Sequence, residues 1–168
     1  MEDLTEVLAA AIEMERKGRQ AYLNAARRVK DTVIAAVLQA LAEDENQHER
    51  MIRQYYEALE RRQGWPHLEP DTNASQPARQ RIEQIVQETG ERIGPDASFL
   101  EVYEVAREME LQTRDYYRSQ ADATDDPQLV KFFRFLAGME QTHLEMLSML
   151  VESTREAAER GGEASSSK

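Results

Sequence analysis

Apolar residues recur along most of this chain at the three- and four-residue spacing of an α-helix, and seven-residue sets show which faces point inward. A first helix is predicted over about residues 3–29, with inner sets Leu8, Glu15, Tyr22, Val29 and Leu4, Ala11, Gly18, Ala25. A second, over about 32–62, presents Leu38, Glu45, Ile52, Leu59 and Ile34, Leu41, His48, Tyr55. A third, over about 99–123, presents Tyr103, Glu110, Tyr117 and Phe99, Ala106, Thr113. A fourth, over about 127–159, presents Phe133, Glu140, Leu147 and Leu129, Leu136, His143, Leu150.

Boundary residues agree with these limits. Asp3 and Ser98, followed three residues later by Glu6 and Glu101, form capping-box patterns. Asp31 suits an N-cap, and Asp126-Pro127 sets a cap before a first-turn proline. Two hairpins of long helices follow, joined by a crossover over 64–97 long enough to run the length of a bundle. Within the crossover, Pro77 to about Arg92 reads as a short extra helix closed by Gly90 or Gly94. Residues 1–160 make one all-α domain, and 161–168, rich in Gly and Ser, read as a disordered tail.

Four polar residues break these apolar faces in each half of the chain, and they do so in the same order. Glu15, Tyr22, Glu45 and His48 are matched at a distance of 95 residues by Glu110, Tyr117, Glu140 and His143. Each half reads Glu-x6-Tyr, then Leu-Ala-x-x-Glu-x-x-His-x-x-Met, from Leu41 to Met51 and from Leu136 to Met146. With 23 glutamates in 168 residues, one Glu-x-x-His would be unremarkable. Two at equal distance from two Glu-x6-Tyr elements, all on inward faces, form a duplicated half-site.

A lone buried carboxylate costs several kcal/mol, so each must be paired, protonated or bound to a cation. Glu and His at i and i+3 share a helical face and can offer an oxygen and a nitrogen to one ion. One Glu from each of two helices and one Glu-x-x-His from each of the others is the di-iron or di-manganese carboxylate arrangement of bundle cores. Four carboxylates neutralise two divalent ions, and the mixed oxygen and imidazole set suits iron or manganese and tolerates zinc. Tyr22 and Tyr117, two turns from Glu15 and Glu110, can donate to a ligand carboxylate and orient it. Glu13, Glu108 and Glu145 share their seven-residue sets with polar residues and read as surface charges; His67 reads as an exposed loop residue, and Tyr55, Tyr103, Phe132 and Phe133 as packing.

Composition narrows the function classes. A net charge of −11 argues against nucleic acid, which needs a concentrated basic face. No apolar run approaches the roughly 20 residues that span a bilayer, and the acidic N-terminus is unlike a secretory signal, so a cytoplasmic location is expected. Without cysteine there is no disulfide, thiolate zinc site or iron–sulfur centre in the chain.

The paired motifs Glu15-x6-Tyr22 with Glu45-x-x-His48, and Glu110-x6-Tyr117 with Glu140-x-x-His143, resemble the rubrerythrin family of the ferritin-like superfamily. The resemblance spans most of residues 5–155 and all eight motif positions. It implies a ferritin-like four-helix bundle around two iron ions, with Glu15, Glu45, His48, Glu110, Glu140 and His143 as ligands. Rubrerythrins reduce hydrogen peroxide with electrons relayed through a rubredoxin-type iron centre, an oxidative-stress role. This chain lacks the cysteines of that centre. The family's extra carboxylate, one turn after the third-helix ligand, is here Thr113, matching Gly18 in the first half. The expectation is a symmetric, six-ligand, di-iron redox protein that reduces peroxide or dioxygen with an external electron donor. The alternative is an iron-binding or ferroxidase protein for storage or detoxification. A homo-oligomer is expected, a dimer rather than a cage, because no short fifth helix follows the bundle.

Overall fold

The computed structural model describes residues 3–30, 32–66 and 98–166, which form an all-α, ferritin-like four-helix bundle. The helices are α1 (Leu4–Arg28), α2 (Thr32–Glu60), α3 (Ser98–Ala123) and α4 (Pro127–Ser166). Three residues separate α3 from α4 and three separate α1 from α2, so each pair folds back as an antiparallel hairpin. The two hairpins pack face to face. None of the described helices is long and apolar enough to cross a membrane.

The ends of the helices follow local chemistry. Asp3 accepts from the Thr5 amide at 3.0 Å, and Asp126 accepts from the Gln128 and Leu129 amides at 2.8 and 3.3 Å, satisfying first-turn donors. Past α2, Arg62 adopts φ 52° and the Gln63 amide closes onto the Ala58 carbonyl at 2.9 Å, a left-handed C-terminal cap made without glycine. Trp65 then stacks on Tyr55, with ring centroids 5.5 Å apart, and donates its indole N–H to Asp126 at 3.0 Å. The start of the crossover is thereby fastened to the α3–α4 turn. The rest of the crossover, with His67 and the extra helix expected at 77–92, lies outside the described residues, as does the Asp31 cap.

The last helix runs past its expected end near 159 to Ser166, into the stretch expected as a tail. Leu150, Val151 and Thr154 are buried and anchor the preceding turns, and an established helix gains a hydrogen bond with each added residue. Gly161 and Gly162 each cost about 1 kcal/mol relative to Ala, which does not stop propagation here.

The interior is layered. Tyr22, Leu38, Leu41, Tyr103, Met146 and Leu147 belong to an apolar cluster at the α1–α2 turn end. Leu8, Ile52, Tyr55, Tyr117, Phe133 and Leu136 belong to a second cluster at the α3–α4 turn end. A fully buried Leu or Phe side chain contributes about 1.5–3 kcal/mol, so both layers supply stability that a polar middle layer does not. That middle layer holds the buried glutamates and histidines.

Candidate metal centre

All six candidate ligands are buried, with His48, His143 and Glu140 at 0% exposure. Each occupies the inward position that helical periodicity assigns it, one layer between the two apolar clusters. Their donor atoms form two groups, Glu15, Glu45, His48 and Glu140, and Glu45, Glu110, Glu140 and His143, with the atoms of each group within 4.8 Å of one another. Glu45 and Glu140 belong to both. The Glu-x-x-His helices α2 and α4 thus supply the shared carboxylates, while α1 and α3 supply one outer carboxylate each.

Both imidazoles turn Nδ1 toward the carboxylates. His48 Nδ1 lies 3.1 Å from Glu15 Oε2, 3.1 Å from Glu140 Oε1 and 3.6 Å from Glu45 Oε2. His143 Nδ1 lies 3.4 Å from Glu45 Oε1, 3.5 Å from Glu110 Oε1 and 3.5 Å from Glu140 Oε2. The rings stack with centroids 5.3 Å apart and planes at 16°. Tyr22 donates its hydroxyl to Glu110 Oε1, and Tyr117 donates to Glu15 Oε1. Each tyrosine therefore serves the glutamate of the opposite hairpin rather than the one on its own helix.

The electrostatics are those of a crowded buried carboxylate cluster. Burial, reinforced by the Glu45 charge, pushes Glu15 up to about 8. Burial, with the Glu15 and Glu110 charges, pushes Glu140 up to about 7. Burial acts the same way on Glu110, but the adjacent His143 and the Tyr22 hydroxyl help outweigh it and hold Glu110 at about 2. Burial disfavours charge on the histidines, yet Glu140 and Glu15 raise His48 well above its ordinary value, and Glu110 does the same for His143. Burial and the facing carboxylates raise both tyrosines, so they keep their protons and remain donors.

The donor set fits a pair of divalent cations. Neither Glu140 oxygen makes a well-directed hydrogen bond, and neither does His143 Nδ1, although all three atoms are buried and face the cluster. Buried polar atoms without partners are rare, and a cation between them would satisfy them. Glu13 lies outside this layer, paired with Arg16 at 2.8 Å, and Glu108 accepts from exposed Gln112. Glu145 is also exposed, as the seven-residue sets predict. Thr113 turns its hydroxyl onto the Met109 carbonyl at 3.1 Å, supplying no extra ligand. At the matching place Gly18 leaves the flank of Glu45 clear, for a Cβ there would lie 3.5 Å from Glu45 Cδ.

Sequence reasoning missed three polar contacts around the cluster. Asp44, immediately before Glu45, is buried and lies 3.4 Å from His143 Nε2. Arg19 donates to Asn46 at 3.0 Å and Arg114 donates to Gln141 at 2.9 Å, the same α-hairpin clamp in both halves. The clamps repeat at the 95-residue distance of the ligands, so extending the repeat beyond the motif would have found them. Asp44 shares a seven-residue set with Val37 and Met51, which was the signal for its burial.

The rubrerythrin family model matches residues 6–151. No curated protein and no solved structure matches the chain. The matched span begins near the start of α1 and runs into α4 beyond His143, taking in both half-sites. This duplicated glutamate and histidine cluster lies in a chain that belongs to the rubrerythrin family.

Proposed function

We propose that the protein is a di-iron carboxylate redox protein that reduces peroxide or dioxygen with electrons from a separate donor. The observation that carries this reading is the sharing of Glu45 and Glu140 between two buried donor groups. Glu15 and His48 would hold one ion, Glu110 and His143 the other, and Glu45 and Glu140 would reach both. Iron bound there supplies the electron-transfer chemistry. Manganese suits the same donors and zinc is tolerated.

The chain's own residues have distinct tasks. His48 and His143 must shed their protons to offer Nδ1, so cation binding displaces protons from the cluster. Tyr22 and Tyr117 each hold one carboxylate oxygen, of Glu110 and of Glu15, fixing how those carboxylates face the centre. The apolar layers exclude bulk water from both ends of the polar one. The chain has no cysteine, and hence no thiolate-held iron to relay electrons.

The test is stopped-flow mixing of the anaerobic, ferrous-loaded protein with one equivalent of hydrogen peroxide. Peroxide's two oxidising equivalents match two Fe(II) going to Fe(III), so the proposal expects rapid, complete oxidation, with repeated turnover only when reductant is added. Oxidation no faster with peroxide than with air, and a ferric core in an assembly far larger than a dimer, would favour iron storage instead.

A further inference from the structure

We infer that the two cation positions are unequal, and that Asp44 makes the position beside His143 the tighter one. The inference rests on the proposed metal reading and adds a positioning residue to it. The duplication is broken at one place beside the centre. Around the centre the two halves agree in ligands, tyrosines and arginine clamps. They disagree at the residue preceding each Glu-x-x-His, which is Asp44 in the first half and Met139 in the second.

The consequence appears at the far nitrogen of each imidazole. His143 Nε2 has a carboxylate neighbour, Asp44 Oδ2, at 3.4 Å. His48 Nε2 is buried and has no hydrogen-bond partner among the described residues. In other respects the rings are alike, stacked nearly parallel and each directing Nδ1 at three carboxylates. Asp44 reaches across from α2 to the histidine of α4, so it acts on the ion held by the opposite hairpin.

A carboxylate that accepts from Nε2–H fixes the tautomer in which Nδ1 carries a free lone pair. It also orients the ring and makes that lone pair a stronger donor. Removing such an outer partner typically weakens metal binding by 10- to 100-fold. His48 lacks the partner, so its side of the centre should be weaker by a comparable factor.

The two sides can be separated by removing one histidine at a time. His48→Ala keeps the half containing His143, and His143→Ala keeps the half containing His48. Titrated with Co(II) and followed by its visible absorption, His48→Ala should bind about tenfold or more tightly than His143→Ala. Adding Asp44→Asn to the His48→Ala protein should remove most of that advantage, and adding it to His143→Ala should change little. Asp44→Met, which copies the second half, should act in the same direction and stands in if the Asn variant does not fold, as judged by melting curves. Equal affinities in the two histidine variants, or equal weakening of both by the Asp44 changes, would overturn the inference while leaving the metal reading intact. A wild-type protein that binds no Co(II) would overturn both.

Discussion

Tyr22 on α1 donates its hydroxyl to Glu110 on α3, and Tyr117 on α3 returns the same bond to Glu15 on α1. The two bonds cross between hairpins, each tying a tyrosine to the glutamate of the other half. They are buried and directed at carboxylates of the candidate centre, so they connect the stability of the bundle to the geometry of that centre. Hydrogen bonds to charged groups contribute about 1.5–3 kcal/mol. Tyr22→Phe should lower unfolding stability by an amount of that order, and Tyr117→Phe should do the same in the metal-loaded protein, where Glu15 is ionised, both measured by denaturant titration. Both should retain bound metal while oxidising more slowly, because a tyrosine that orients a ligand does not itself bind the ion.

Glu45 and Glu140 appear in both donor groups, so loss of either should damage both positions. Glu45→Ala and Glu140→Ala are expected to abolish binding of two ions per chain. Glu13→Ala and Glu108→Ala should leave the stoichiometry unchanged, since both residues face solvent partners. Metal analysis of protein purified without added metal checks all four. Loss of metal in the surface variants alone would show the assignment of helix faces to be wrong.

Glu15 and Glu140 are raised to about 8 and about 7, and both histidines are raised as well. A raised folded-state pKa gives stability that is present below the unfolded value and lost as pH climbs through the folded one. Glu110, held at about 2, acts with the opposite sign: its contribution is present above the ordinary value and lost as pH falls toward 2. The metal-free protein should therefore be most stable near pH 5 and weaken progressively toward pH 8. The metal-loaded protein should hold its stability across that range, because the cations hold the carboxylates ionised and the imidazoles neutral. Melting temperatures of the two forms at a series of pH values check this, and parallel curves would contradict it.

Gly18 is helical, and the space beside Glu45 admits a methyl group at ordinary contact distance, 3.5 Å from Glu45 Cδ. Gly18→Ala should raise stability by about 0.5–1 kcal/mol through reduced backbone freedom in the unfolded chain. It should leave two-ion binding unchanged, which titration with Co(II) would verify. A loss of metal would mean that Glu45 needs the open flank to move.

The chain's pattern by itself determined which residues lie inside. The seven-residue sets carry Glu15, Glu45, His48, Glu110, Glu140 and His143 to inward positions because a helix repeats every 3.6 residues and a bundle buries one stripe of each helix. Equal spacing in the two halves also marked the duplication, and the Asp3 and Asp126 caps were legible because capping is local. What lay beyond reach depends on contacts between helices. Tertiary structure alone decided that Tyr22 serves Glu110 rather than Glu15, that Glu45 and Glu140 are the shared carboxylates, and that Asp44 approaches His143. Each of these turns on the height and rotation of one helix against another, which the packing of apolar layers above and below the centre sets. Periodicity within a single helix carries no record of that register. The extent of α4 follows the same rule: Gly161 and Gly162 read locally as a break, while turns anchored in the core carry the helix on to Ser166.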